Sequence, residues 1–158
     1  MRLMDFVHQE SIVAALQATD RNGVIRELAQ SLADHGALDA ANVEAIARAV
    51  IARENQGSTG IGKGVGVPHV KHQCIAKMTA TIGRSSQGVD FASLDRAPVY
   101  TVFLLLSPIN APDQHLAAME RIFRYLQREN FRKFLRQAET REQIVDLITE
   151  ADESKEES

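Results

Sequence analysis

Apolar positions in the first third of the chain recur at helical spacing. Between residues 22 and 34, Val24, Ile25, Leu28, Ala29 and Leu32 fall on one stripe, which predicts an amphipathic helix. Gly36 is placed to end it. Asp39 suits the N-cap of a second helix, in which Val43, Ile46, Ala47, Val50 and Ile51 keep the period and which should close near Arg53. The period then stops. Residues 57–66 hold five of the chain's nine glycines, so a loop with close backbone approaches is expected there. It leads into a short strand over residues 65–69. Within it Pro68, with no N–H to give a ladder, marks an edge, an end or a bulge.

The period next changes to two. Met78, Ala80 and Ile82 alternate with Lys77, Thr79 and Thr81, the pattern of a half-buried strand. Residues 88–91 suggest another short one. Residues 99–106 are apolar nearly throughout, which predicts a central strand covered on both faces. Pro112 suits the first turn of a long helix with Leu116, Met119, Ile122, Phe123 and Leu126 inside. Residues 130–138 suggest a short helix. Thr140-Arg141-Glu142-Gln143 has the form of a capping box opening a last helix around Ile144, Val145, Leu147 and Ile148. From Ala151 to Ser158 the chain is polar and acidic, and a disordered tail is expected. The sum is one α/β domain, residues 1–150: two helices, a sheet, then two or three helices.

Composition fits this picture and narrows the function. The 158 residues suit one domain with a core of its own. The net charge of −3 carries no basic excess, which argues against nucleic acid and against an anionic membrane surface. The single cysteine, Cys74, cannot form an intrachain disulfide, and a reducing compartment follows. The start lacks an apolar core of signal-peptide length, and the longest apolar run, residues 102–106, is far too short to span a bilayer. A cytoplasmic protein without membrane insertion is expected.

Three chemistries compete for residues 53–72. Gly57 to Lys63 fits the G-x-x-x-x-G-K of a nucleotide loop. Gly64 then stands where Ser or Thr should hold magnesium, and the segment runs from helix to strand rather than from strand to helix. His69, His72 and His115 could together suit zinc, but no carboxylate or further thiol sits at a persuasive spacing besides Cys74. The third chemistry is a phosphohistidine. A neutral imidazole is a competent nucleophile near pH 7. Phosphoryl transfer then asks mainly for positive and hydrogen-bonding groups around the equatorial oxygens. Arg53, the hydroxyls of Ser58 and Thr59, and glycine amides such as that of Gly60 can provide them. No cofactor is called for.

Arg53-Glu54, Gly57-Ser58-Thr59-Gly60-Ile61-Gly62 and Gly64-Val65-Gly66-Val67-Pro68-His69, in this order, resemble the signature of phosphotransferase system enzyme IIA of the fructose–mannitol class. The nitrogen-regulatory branch is the most similar. The resemblance extends over nearly the whole chain and includes Asp113-Gln114-His115-Leu116. It implies a central mixed β-sheet with helices on both faces. It implies that His69 accepts a phosphoryl group on Nε2 from an HPr-type carrier, that Arg53 steadies the phosphoryl charge and that His115 assists. An independent reason supports His115: in the first turn of a helix, the dipole disfavours a charged imidazole and favours an anion.

Further partners implied are an enzyme IIB of the fructose or mannitol type, or regulatory targets such as potassium-transport proteins and sensor kinases. No IIB or IIC segment follows the domain, so a stand-alone carrier serving regulation is expected, with a sugar-specific enzyme IIA and a non-catalytic regulatory binding protein as alternatives. Two positions depart from the family pattern. Gly66 replaces the usual Ala. Val70 follows the acceptor where a small residue is usual, and could narrow access to it.

Overall fold

The computed structural model of the chain describes residues 1–154. Helix α1 covers Arg21–Asp34, with Asp20 accepting the Gly23 N–H at its start. Beyond it Gly36 adopts φ +83°, the left-handed conformation that suits glycine. Asp39 caps a short 3-10 turn, Ala40–Asn42, which feeds helix α2, Val43–Gln56. Helix α2 therefore runs three residues past the expected end at Arg53, and so carries Glu54 into the structure on its last turn.

Strands β1 (Gly60–Gly62) and β2 (Val65–Gly66) pair antiparallel. Lys63 and Gly64 between them both have positive φ, as a tight two-residue hairpin requires. Strand β3 is His69–His72, β4 is Thr79–Val89 and β5 is Val99–Pro108. Strands β2 and β3 lie end to end along one edge of β5, both parallel to it, with Val65 beside Thr101 and His69 beside Leu105. They read as one strand interrupted at Val67-Pro68, where the ladder donor is missing. Strand β4 runs antiparallel along the other edge of β5, so the sheet is mixed.

Residues of β5 alternate between two cores. Phe103 and Leu105 pack with Ile82, Ile122, Ile144 and Ile148, while Val102, Leu104 and Leu106 pack with Ile25, Leu28, Ile46 and Val50. Helices α1 and α2 thus cover one face. Helices α3 (Pro112–Leu126), α4 (Glu129–Gln137) and α5 (Arg141–Glu153) cover the other. The Thr140 capping box is present. Among the described residues no helix is long and apolar enough to cross a membrane.

Four expectations change. The start of β4 is buried on both faces, because the N-terminal segment lies along its free edge through bridges at Val7 and Val13; buried Thr81 is satisfied by the Ser11 hydroxyl at 2.8 Å. Val89 closes this long strand rather than opening a separate one. Leu116 is 59% exposed, and His115 and Ala118 take the inner face of α3. The last helix continues to Glu153: Ala151 is buried and Asp152 accepts the Leu3 and Met4 N–H groups, so the tail does not begin at Ala151. Residues 155–158 lie outside the described residues.

Candidate phosphoryl-acceptor site

Strand β3 opens with His69, at the end of β5 that leads into α3. Pro112 occupies the first turn of α3, and the His115 N–H closes onto the Ala111 carbonyl at 3.1 Å. Only three residues separate Pro108, the end of β5, from Pro112. The turn therefore drops His115 beside His69, with ring centroids 5.4 Å apart and planes tilted by 50°.

Each imidazole is held through Nδ1. In His69, Nδ1 lies 2.7 Å from the Val67 carbonyl oxygen. A carbonyl only accepts, so Nδ1 carries the proton and Nε2 keeps its lone pair. In His115, Nδ1 lies 2.7 Å from the Ser107 hydroxyl. His115 is 8% exposed, and its pKa is lowered to about 4, first by burial and then by the charges of His69 and Lys71. Burial thus ranks ahead of the other causes of its neutrality. The pKa of His69 is also lowered, chiefly by burial; its bond to Val67 opposes the shift and Arg53 adds to it. Both rings are neutral near pH 7.

Arg53 donates from Nη1 to the Gly57 carbonyl at 2.9 Å, which ties it to the end of α2 and leaves most of its donors uncommitted. The start of α3 has no side-chain cap on Ala111, so its dipole end stays available to an anion. The loop residues behave otherwise than expected. The Ser58 hydroxyl donates to the Phe91 carbonyl, and the Gly60 N–H is taken up by Ser58 Oγ at 2.9 Å. Thr59 gives both its N–H, at 3.1 Å, and its hydroxyl to Glu54. These donors face one another rather than the histidines, because a tight glycine loop must first satisfy its own buried polar groups. Gly60 is needed for contact: a Cβ there would run into Ser93 Oγ and Phe91 Cβ.

Two residues that sequence reasoning passed over belong to the site. Glu54, 2% exposed, pins the loop to α2; its signal was its place beside Arg53. Ser107, fully buried, holds His115; its signal was a lone hydroxyl ending an apolar strand. His72 uses Nδ1 to accept the Cys74 N–H. Among the described residues no three His, Cys, Asp or Glu side chains are grouped so as to hold a metal ion, so the zinc arrangement of His69, His72 and His115 is not formed. The nucleotide-loop context is inverted as expected, from α2 into a hairpin. Val70 packs against the core that α1 and α2 cover. Gly66 makes room for the Phe91 ring, which a Cβ would meet at 3.2 Å.

Known proteins are similar to this chain in sequence and in fold. The sequence model of the family "Phosphoenolpyruvate-dependent sugar phosphotransferase system, EIIA 2" matches residues 5–151. A "PTS system fructose-specific EIIABC component" of Bacillus subtilis is 34% identical over 152 residues, 96% of this chain but 24% of that protein. A "Nitrogen regulatory protein" of Bradyrhizobium diazoefficiens is 34% identical over 148 residues, 94% of this chain and 95% of that one. The crystal structure of nitrogen regulatory protein IIA-Ntr from Neisseria meningitidis matches with TM-score 0.81 at 26% identity, over 91% of this chain and 97% of that one. Enzyme IIA of the mannitol system of Escherichia coli, solved in complex with phosphorylated enzyme IIB, shares the fold with TM-score 0.74 at 18% identity, over 89% of this chain and 95% of that one.

Proposed function

The chain belongs to the EIIA 2 family of the phosphoenolpyruvate-dependent sugar phosphotransferase system, and on that premise we propose that it relays a phosphoryl group through Nε2 of His69. The observation that carries this reading is the pair of facing imidazoles, each fixed through Nδ1, so that the reactive nitrogens remain open. The lone pair on His69 Nε2 attacks the phosphorus of a phosphohistidine on an HPr-type carrier. A P–N bond forms, the P–N bond to the donor breaks, and its electron pair stays on the donor imidazole. The Val67 carbonyl keeps its bond to His69 Nδ1–H throughout and favours the positive character that the ring gains. In this reading the Ser107 hydroxyl, 2.7 Å from His115 Nδ1, is the donor, so that the His115 proton sits on Nε2 and can serve a phosphoryl oxygen. Arg53 and the uncapped start of α3 oppose the remaining negative charge.

The loop of Ser58, Thr59 and Gly60 acts in this reading as a support for Arg53 and Glu54 rather than as a direct phosphoryl ligand. Leu116 and Ile109, 59% and 58% exposed and next to the site in sequence, form an apolar rim on which a carrier protein can dock. The test is incubation with phosphoenolpyruvate, enzyme I and HPr. The expected product is an acid-labile, base-stable phosphate on the wild type and none on His69→Ala. A wild type that takes no label from any such donor, or a His69→Ala variant that keeps it, overturns the reading.

The match to a nitrogen regulatory protein over 94% of this chain supports a signalling role, and the match to a fructose-specific EIIA component over 82% of it keeps sugar uptake as the alternative. Phosphate on His69 adds about −1.5 to −2 charge at the rim and can switch a partner such as a potassium-transport protein or a sensor kinase. An enzyme IIB is the acceptor under the sugar-specific reading. With such a donor and such targets, the reading implies action in the cytoplasm. Capture of partners by wild type, His69→Ala and His69→Asp separates the two: equal capture by all three removes the switch.

A further inference from the structure

Four residues before Leu105, the partner of His69, strand β5 reaches Thr101, about 13 Å away at strand rise. At that end of the sheet a cleft of about 620 Å³ opens between β4, the β1–β2 turn and α4. Its walls carry Lys63, Arg84, Arg132, Lys133 and Arg136. A second hollow of about 390 Å³ shares Lys63, Arg132 and Arg136 and extends to Tyr100 and Asp95. Five cations converge here in a chain whose acids outnumber its bases, 21 to 18. Among the described residues none of the five has an ion pair. Two carboxylates, Asp95 and Glu129, lie in the same walls and leave an excess of cations. Asp95 is turned to the Lys63 and Ala97 N–H groups at 2.9 and 3.0 Å, and Glu129 makes no ion pair among the described residues.

The guanidinium groups are held in place. Arg84 donates from Nε to the Arg136 carbonyl at 2.7 Å and from Nη1 to the Ala14 carbonyl at 3.2 Å. Arg132 donates from Nη1 to the Leu126 carbonyl at 2.6 Å. Arg136 lies 3.6 Å over the Tyr100 ring. Each guanidinium has five N–H donors, so those of Arg84 and Arg132 keep at least three each for a ligand, in a geometry that needs little further ordering. Helix α4 buries Phe131 and Leu135 and sets Arg132, Lys133 and Arg136 along one wall over about 6 Å of helix rise.

We propose that this cleft is a second anion site, separate from His69, for a compact oligophosphate such as the phosphate chain of a nucleotide. One phosphate group would engage only part of the wall. An extended acidic peptide turns successive side chains to opposite sides, so only every second carboxylate, about 6.6 Å apart, can face the wall. The site does not depend on the phosphoryl-transfer reading, since none of its residues belongs to that site.

Titration of isotope-labelled protein with sodium tripolyphosphate and, separately, with ATP, followed by amide NMR shifts at constant ionic strength, tests it. Saturable shifts are expected at the Lys63–Gly64 turn and along α4, not at residues 69–72. A Lys63→Gln/Lys133→Gln variant should bind at least about tenfold more weakly with an unchanged melting temperature, and His69→Ala should bind like wild type. Equal affinity for the two probes assigns recognition to the phosphate chain; tighter ATP adds its base, stacked at Arg136 and Tyr100. Absence of saturation, shifts centred on His69, full affinity in the double variant, or tighter binding of a poly-glutamate peptide than of tripolyphosphate overturns the proposal.

Discussion

Acidification should destabilise this protein through His115, and by an amount that the site geometry sets. In the unfolded chain an imidazole takes up a proton near pH 6.5. In the folded chain burial, the neighbouring His69 and Lys71 hold His115 neutral until about pH 4. Between these values the unfolded state binds the extra proton, so stability falls as pH falls. The slope approaches about 1.4 kcal/mol per pH unit, and the whole window amounts to at most about 3 kcal/mol. Other groups titrate too, so the useful quantity is a difference. Urea unfolding of wild type and His115→Gln at pH 7 and pH 5 removes the common contributions. The stability of wild type relative to the variant should drop by about 2 kcal/mol over that interval. A flat difference, or a His115 ring signal that titrates near pH 6.5 in the folded protein, refutes the claim that burial keeps it neutral.

Three substitutions probe the supports of the site. Ser107→Ala should cost about 1 kcal/mol in unfolding and slow phosphoryl uptake from phospho-HPr by about tenfold, with Ser107→Thr restoring part of the rate; unchanged single-turnover kinetics would remove Ser107 from the mechanism. Glu54→Gln leaves one oxygen where two now hold Thr59, and should cost about 1.5–3 kcal/mol in urea titration; a neutral effect would mean that the loop stands without the carboxylate. Leu116→Asp, on an exposed position, should leave stability within about 0.5 kcal/mol yet raise the KM for phospho-HPr by about tenfold or more; an unchanged KM places the docking surface elsewhere.

Apolar stripes and runs, with the Asp39 and Thr140 capping signals, located α1, α2, β5 and α5, because each presents an apolar face to one of the two cores. Where the pattern failed, a tertiary neighbour had changed the burial. Thr81 reads as a solvent-facing position, but the first thirteen residues pass along the free edge of β4 and cover it. Nothing in the local alternation encodes that visit. Leu116 reads as core on period, and the same stripe leaves His115 out. Met119, Ile122 and Leu126 stay inside, so the buried face of α3 is only shifted toward the His115, Ala118 and Tyr125 side, and that shift turns His115 to His69.

Residue types made the site legible; their commitments did not. An arginine, a glycine-rich loop and two histidines announce phosphate chemistry in sequence, and the naive assignment gives every loop donor to the phosphate. In the structure Ser58, Thr59 and Gly60 satisfy Phe91, Glu54 and one another. A donor already bonded in the resting protein offers a ligand little net gain, since it must break one bond to make another. What remains free among the described residues is therefore more informative than what is present: Nε2 of both histidines, most of Arg53 and the uncapped start of α3. That set is smaller than the motif, and it is fixed by Val67 and Ser107, two residues that no motif search would select for chemistry.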